Sequence, residues 1–138
     1  MAEMHRRQAS ASGWEGNAAF GGIVLILAGG YHVLTGFVAI FNDAYFQVPS
    51  QDLLISVDYT AWGWLHLLLG VIALVVGAGI LRGQTWARVA GVVMAGVSAA
   101  VNLAFLASFP VWSMLIIALD LVVIYSLVAP ERDSSPAG

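Results

Sequence analysis

The sequence contains no cysteine and few charged residues, and both shortages limit what the protein can be. Without cysteine, the chain forms no disulfide, thiolate metal site, iron-sulfur cluster or covalently attached c-type haem. Charged residues make up 9% of the 138 residues, whereas soluble domains average about 25%. With 60% hydrophobic residues and a mean hydropathy of +0.88, the composition is typical of a membrane protein of one domain.

The charge distribution and the short motifs give no support to a nucleic-acid-binding protein or to a familiar enzyme class. The net charge of -3 at pH 7 is small and scattered, and no basic patch is available to bind phosphates. The patterns of nucleotide hydrolysis, serine hydrolases and zincin proteases are absent from the sequence. We therefore expect no nucleic-acid partner, name no catalytic residue and prefer a non-enzymatic role.

Four apolar segments each approach or exceed the roughly 20 residues that a helix needs to cross the hydrocarbon core of a bilayer. Lipid offers backbone amides no hydrogen-bond partner, so helices are favoured over open strands. We predict an all-α integral membrane four-helix bundle, with mobile cytoplasmic tails at residues 1–18 and 130–138. No clear cleavage site follows the first segment, so we expect it to be retained. The predicted helices cover residues 19–41, 61–81, 89–109 and 111–129.

The basic residues indicate how the helices are oriented. Four spans place all five arginines on one side, which the positive-inside rule makes cytoplasmic together with both termini. The loop between the first two helices carries only acidic charges and should face out, where residues 44–48 and 53–57 could pair as a small β-hairpin. The protein is thus expected to be a multi-pass protein of the cell membrane. The charged residues are Arg6, Arg7, Arg82, Arg88 and Arg132, and in the first loop Asp43, Asp52 and Asp58.

Residues at the ends of the segments agree with this layout. Indole rings and long cationic side chains prefer the membrane interface and act as anchors there. We expect Thr60 to cap the second helix and Pro110 to begin the fourth. The interface anchors are Trp62, Trp64 and Trp112 on the outer side, and Trp14, Trp86, Arg82 and Arg88 on the inner side.

Glycines recur every seven residues in the first two segments, which keeps them on one helix face. Small residues let helices approach closely in lipid, so we predict that both stripes face partner helices. The strings GGYHVLTGFVAI and GWLHLLLGVIAL also share the pattern G-x-x-H-x-x-x-G-x-x-A-[IL] in helices of opposite direction. This match would suit an inverted repeat, although chance similarity between glycine-rich helices is the simpler explanation. The stripes are Gly22, Gly29 and Gly36, and Gly63, Gly70 and Gly77.

Four polar residues interrupt the apolar segments and form the candidate functional cluster. At 1.5 Å per residue, Asp120 and His32 should lie roughly 13 Å, Asn102 roughly 10 Å and His66 roughly 7 Å below the outer helix ends. A charged aspartate near the centre of a span costs about 2.5 to 3.5 kcal/mol, which pairing with His32 or hydrogen bonds from Asn102 would partly offset. The sequence leaves open whether Asp120 is charged and whether it contacts His32. The cluster is either a functional site or polar glue, with interhelical bonds worth roughly 0.6 to 2 kcal/mol each.

The histidines and the carboxylate of this cluster are residue types that can bind a metal ion or a haem. Two histidines and a carboxylate suit several divalent ions, but no H-x-x-H or E-x-x-H spacing is present. Axial haem ligation by His32 and His66 would need their rings at one level, and the predicted depths differ by roughly 6 Å. We therefore expect no metal and no cofactor. For His66, a role as an anchor is preferred to catalysis.

Several strings resemble a known family when taken together, namely FNDAYF, DYTAWGWLHLLLG, GQTWARVAG, SAAVNLAFL and FPVWSMLIIALDLVVIYSL. They are similar to a family of small four-helix membrane proteins, common in actinobacteria and classed as a domain of unknown function. The resemblance implies a multi-pass membrane protein and no established activity, and His32 lies outside the matching parts. It runs from about Ala19 to Val128 and places the family motifs on Trp62, Gly63, Trp64, His66, Trp86, Ala87, Arg88, Asn102 and Asp120.

Two classes of function fit these observations, and the first is preferred because packing signals are abundant and reactive groups are few. The first is a non-enzymatic accessory, assembly or scaffold component that binds a membrane protein or a second copy of itself through helix packing. The second is a small proton- or solute-handling protein that uses Asp120 together with His32 or His66. A stable co-purifying partner would favour the first class, and loss of a pH-dependent signal in Asp120→Asn would favour the second.

Overall fold

The computed structural model describes residues 1–42 and 58–129, and within residues 6–15 it describes the helix but not the side chains. All regular elements in these ranges are helices, which confirms the all-α prediction. The proposed β-hairpin and the C-terminal tail lie outside the described residues. The helices are α1 (Ala2–Phe41), α2 (Tyr59–Leu81), α3 (Thr85–Ala104) and α4 (Pro110–Val128).

Each helix contains a stretch that is long and apolar enough to cross a membrane. In α1 this stretch is Gly16–Phe41, and in the other three helices it is the whole helix. Large apolar side chains such as Leu27 and Leu34 in α1 are each 68% exposed, and Val111 in α4 is 84% exposed. Many of the buried apolar residues are alanines, so small side chains line the contacts and large ones point outward. This distribution suits helices surrounded by lipid, where close backbone packing replaces a core of large side chains.

The chain divides into two compact units, and each is described by itself. The histidine unit, Leu25–Val75, holds the second part of α1 and the first part of α2. The aspartate unit, Met1–Val24 with Val76–Gly138, holds the beginning of α1, the end of α2, and all of α3 and α4.

The first helix is longer than predicted, because it begins at Ala2 and not near residue 19. The first dozen residues have no apolar periodicity, and residues 1–18 were therefore predicted to be a mobile tail. They nevertheless contain several good helix formers, namely alanine, arginine, glutamine, glutamate and methionine, and no proline. Glu3 in the first turn also interacts favourably with the helix dipole. Helix propensity, and not an apolar face, accounts for this boundary.

Asp58 caps α2 in place of Thr60, and the helix therefore begins two residues earlier than predicted. The Oδ1 atom of Asp58 accepts hydrogen bonds from the backbone N–H groups of Thr60 at 3.0 Å and Ala61 at 3.3 Å. These are the second and third residues of the helix, whose amides have no partner within it. The first residue of α2 is thus Tyr59.

Pro110 determines where α3 and α4 meet. It is the first residue of α4, as predicted, and a proline disfavours the helical conformation of the residue before it. Phe109 accordingly has φ -135° and ψ 63°, and residues 105–109 form a turn. The helix α3 ends at Ala104, five residues before the predicted end. The short turn makes α3 and α4 an antiparallel pair of packed helices.

Candidate functional site

Glycines bring the backbones of α1 and α2 into contact within the histidine unit. A Cβ atom built on Gly29 would lie 2.8 Å from the carbonyl oxygen of Gly70. A Cβ atom built on Gly36 would lie 2.6 Å from the carbonyl oxygen of Gly63. No real side chain fits at such distances, so these four positions accept only glycine without a shift of the helices. Contacts of this kind are a main source of helix association in lipid.

The two glycine contacts align both copies of G-x-x-H-x-x-x-G in opposite directions. The first glycine of one copy meets the second glycine of the other, and each histidine lies three residues after the first glycine of its copy. Antiparallel pairing of the copies therefore brings His32 and His66 to neighbouring levels. Their ring centroids lie 5.1 Å apart, with an angle of 47° between the ring planes. The internal similarity of the sequence thus corresponds to a physical pairing of two histidines.

The depth difference of roughly 6 Å predicted for these histidines was wrong. It was counted from assumed helix ends, whereas α1 ends at Phe41 and α2 begins at Tyr59. Counted from these residues, the difference falls to about 3 Å at 1.5 Å per residue, which the side chains can bridge. The two imidazoles pack directly on each other, so this arrangement leaves no room for a haem between them.

His66 is held by the backbone and the ring of Trp62, one turn earlier in α2. Its Nδ1 atom lies 3.0 Å from the carbonyl oxygen of Trp62, and the two ring centroids lie 3.7 Å apart at 32°. A carbonyl oxygen only accepts hydrogen bonds, so Nδ1 of His66 carries the proton that is donated. In the neutral ring, Nε2 then keeps a free lone pair. Trp62 therefore fixes both the orientation and the tautomer of His66.

The Nδ1 atom of His32, unlike that of His66, has no hydrogen-bond partner among the described residues. This atom is also buried. The ring contacts of His32 are with His66 and with the ring of Tyr31, whose centroid lies 6.0 Å away in an edge arrangement. A buried polar atom without a partner costs free energy, so such positions require a specific explanation.

A second polar cluster lies in the aspartate unit, between α3 and α4. The carboxyl group of Asp120 has the side chain of Ser98 as a hydrogen-bond partner, while its Oδ2 atom is buried without a partner in the described part of the chain. The side-chain amide of Asn102 donates to the backbone carbonyl of Ser98 at 3.0 Å. Hydrogen bonds from Asn102 were one of two ways considered to offset the cost of burying Asp120, but the hydrogen-bond partner of its carboxyl group is the side chain of Ser98. Its position four residues before Asn102, on the same face of α3, was the signal that could have found it.

The remaining predicted residues fall into packing and exposed positions. A Cβ atom on Gly22 would lie 3.2 Å from the carbonyl oxygen of Gly77, within the aspartate unit. Trp64, Trp86 and Trp112 are 59%, 53% and 54% exposed, which suits rings that face lipid or its interface. Trp62 differs, because it is half-buried against His66. Within residues 1–42 and 58–129, no group of three or more histidine, aspartate or glutamate side chains is placed to hold a metal ion.

Comparisons with known proteins identify the family without adding an activity. Searches of the curated proteins and of the solved structures each found no match. A family model described as a domain of unknown function (DUF7144) matches residues 17–132, which include almost all of the apolar stretch of α1, the whole of α2, α3 and α4, and both polar clusters. This chain therefore belongs to the DUF7144 family.

Proposed function

We propose that this chain is a multi-pass protein of the cell membrane that binds and transfers protons through the pair His32 and His66, with both termini in the cytoplasm. The observation that carries the proposal is the contact of the two imidazole rings, whose centroids lie 5.1 Å apart inside two helices apolar enough to span a membrane. Ionisable side chains at such positions are rare, and they often mark proton relays. An isolated imidazole changes its protonation state near neutral pH, which suits this role.

The tautomer of His66 supports transfer between the two rings. Because Nδ1 donates to the carbonyl oxygen of Trp62, Nε2 is the atom that accepts an incoming proton. The bond to Trp62 remains in place in both protonation states, so uptake requires no rearrangement of the ring. Protonation of both rings would bring two like charges close together, so the pair is expected to hold one proton at a time. A proton taken up by one histidine is therefore released when the other binds one.

Asp120 is the second proton-binding group of the proposal. Its carboxyl group has Ser98 as a partner and keeps one buried oxygen without a donor in the described ranges. A carboxyl group in this setting can gain or lose a proton while its contact with Ser98 is retained, since a hydroxyl group both donates and accepts. Asp120→Asn preserves the shape and removes the titration, so it separates the chemical role from packing.

A proton-flux assay tests the proposal. The protein would be reconstituted into vesicles that contain a pH-sensitive dye, and a potassium gradient with valinomycin would set the membrane potential. We expect wild-type protein to acidify the vesicle interior, and His32→Gln and His66→Gln to lower the rate about a hundredfold, the lower end of what a positioned proton-transfer group contributes. His5→Gln is the matched control, because His5 is exposed and lies outside the apolar stretch of α1. Equal rates for wild type and His66→Gln would contradict the proposal.

The second candidate function is an accessory or assembly component that binds a membrane protein or a second copy of this chain. The observation that favours it is Gly96 in α3, which has open space where a Cβ atom would be and lies between the exposed side chains of Val93 and Val97. Gly96→Leu should leave the fold intact and disrupt a defined oligomer or complex in mild detergent. An unchanged elution volume and an unchanged set of co-purifying proteins would remove this candidate.

A further inference from the structure

Ser113 in α4 carries a buried hydroxyl group that the proposed proton transfer does not use. Its side chain is 1% exposed, and its Oγ atom has no hydrogen-bond partner in the described ranges of the chain. Ser126 of the same helix differs, because its Oγ atom donates to the backbone carbonyl of Val123 at 2.7 Å. Serines inside helices commonly bond to their own backbone in this way. A buried hydroxyl without such a bond costs free energy, so that of Ser113 requires a partner of another kind.

The hydroxyl group of Ser113 lies on the same face of α4 as the carboxyl group of Asp120. Seven residues separate the two, and seven steps along a helix return to nearly the same direction. At 1.5 Å per residue, Ser113 is about 10 Å closer to the turn at residues 105–109. The Oδ2 atom of Asp120 is likewise buried without a partner among the residues that the structure describes. Two oxygen atoms that lack partners therefore follow one face of α4 toward this turn.

The helix α3 supplies polar groups at levels between these two oxygen atoms. It packs antiparallel to α4, so both helices approach the turn at residues 105–109 side by side. Ser98 contacts the carboxyl group of Asp120, and Asn102 lies four residues, or about 6 Å, closer to the turn. The Nδ2 group of Asn102 donates to the backbone carbonyl of Ser98 at 3.0 Å, which orients the amide and leaves its side-chain oxygen as an acceptor. Polar groups thus continue from Asp120 toward the turn.

We propose that Ser113 and Asn102 bind a short chain of water molecules that connects Asp120 to the aqueous phase at the turn between α3 and α4. Carboxyl groups inside membrane spans almost always face the interior of a bundle or a water-filled cavity. The 10 Å between Ser113 and Asp120 corresponds to about three to four hydrogen bonds of about 2.8 Å each. A buried water molecule needs about two to four polar partners, which the side chains of the two helices supply.

This inference rests on the proposed function, in which Asp120 binds protons, and it adds the route by which protons reach that residue. A hydroxyl group and a water molecule each donate and accept hydrogen bonds, so a proton can pass along such a chain. Water beside Asp120 is nevertheless measurable whether or not the protein moves protons. The water chain can therefore be tested separately from the histidine pair.

Water-edited solid-state NMR in bilayers tests the inference, because it measures the transfer of magnetisation from mobile water to a labelled carboxyl carbon. In protein with isotope-labelled aspartate, the signal that disappears in Asp120→Asn identifies Asp120. We expect transfer to this signal in the wild type and its loss in Ser113→Val. Ser113→Thr is the matched control, since threonine has the shape of valine but retains the hydroxyl, and it should keep the transfer. Ser126→Ala should also keep it, because that hydroxyl is bonded to its own helix.

A second variant keeps the test decisive if the larger side chains at position 113 prevent folding. Asn102→Leu replaces a half-buried amide by an apolar side chain of similar shape, and it should also abolish the transfer to Asp120. The inference is overturned if the wild type shows no transfer to Asp120, if folded Ser113→Val or Asn102→Leu retains it, or if folded Ser113→Thr loses it. The expected pattern of transfer without any proton flux would remove the proposed function and support the water chain.

Discussion

At the scale of single residues, the contact between Trp62 and His66 determines what the histidine pair can do. Their ring centroids lie 3.7 Å apart, and the Nδ1 proton of His66 is donated to the carbonyl oxygen of Trp62. A protonated imidazole that packs on an indole quenches its fluorescence, and it gains stability from the interaction of a cation with the ring face. The emission of Trp62 should therefore report the charge of His66.

Tryptophan fluorescence as a function of pH measures this coupling. We expect the emission of the wild type to fall as the pH is lowered, because protonation of His66 quenches Trp62. Trp62→Phe should remove the pH-dependent component, whereas Trp64→Phe should lower the total emission and retain that component, since Trp64 is exposed. The same pH dependence in both variants would show that His66 does not change its charge beside Trp62.

At the scale of helices, close packing of α1 on α2 is what aligns the two histidines. The apolar lengths in the sequence were enough to predict four helices, because length and hydropathy are local properties. The contact of His32 with His66 depends on which glycine of α1 meets which glycine of α2, and a single helix does not reveal this. The shared G-x-x-H-x-x-x-G pattern contained the answer, but only when its two copies were paired in opposite directions. The first residues of α2 and α4 are likewise determined by single side chains, those of Asp58 and Pro110.

Two glycines of α1 provide a matched test of this packing. In Gly36→Ala, the new Cβ atom would lie 2.6 Å from the carbonyl oxygen of Gly63 and from the backbone nitrogen of Leu67, so the helices must separate. We expect a loss of about 1 to 3 kcal/mol in the free energy of unfolding. A Cβ atom built on Gly30 would have no other atom within 4 Å. Gly30→Ala should therefore be neutral, or stabilise the protein by about 0.5 to 1 kcal/mol. Unfolding in detergent measures both, and equal stabilities would refute the glycine contact.

At the scale of the whole molecule, the proposed function requires four crossings with both termini in the cytoplasm. The absence of cysteine from the chain allows a clean labelling test of this topology. Ser108, in the turn between α3 and α4, and Gln84, in the turn between α2 and α3, are both exposed. We expect a membrane-impermeant maleimide to label Ser108→Cys in intact cells and Gln84→Cys only after lysis. The reverse pattern would invert the topology.

The central claim is that His32 and His66 form one proton-binding site. Nitrogen NMR of labelled imidazoles in bilayers tests it most directly, with a His5→Gln background to remove the third histidine. As the pH is lowered from about 8 to about 5, where imidazoles titrate, the pair should gain one proton before the second ring gains any, and His66→Gln should change the titration curve of His32. Identical curves for His32 with and without His66, or two rings that stay neutral throughout, would contradict the account.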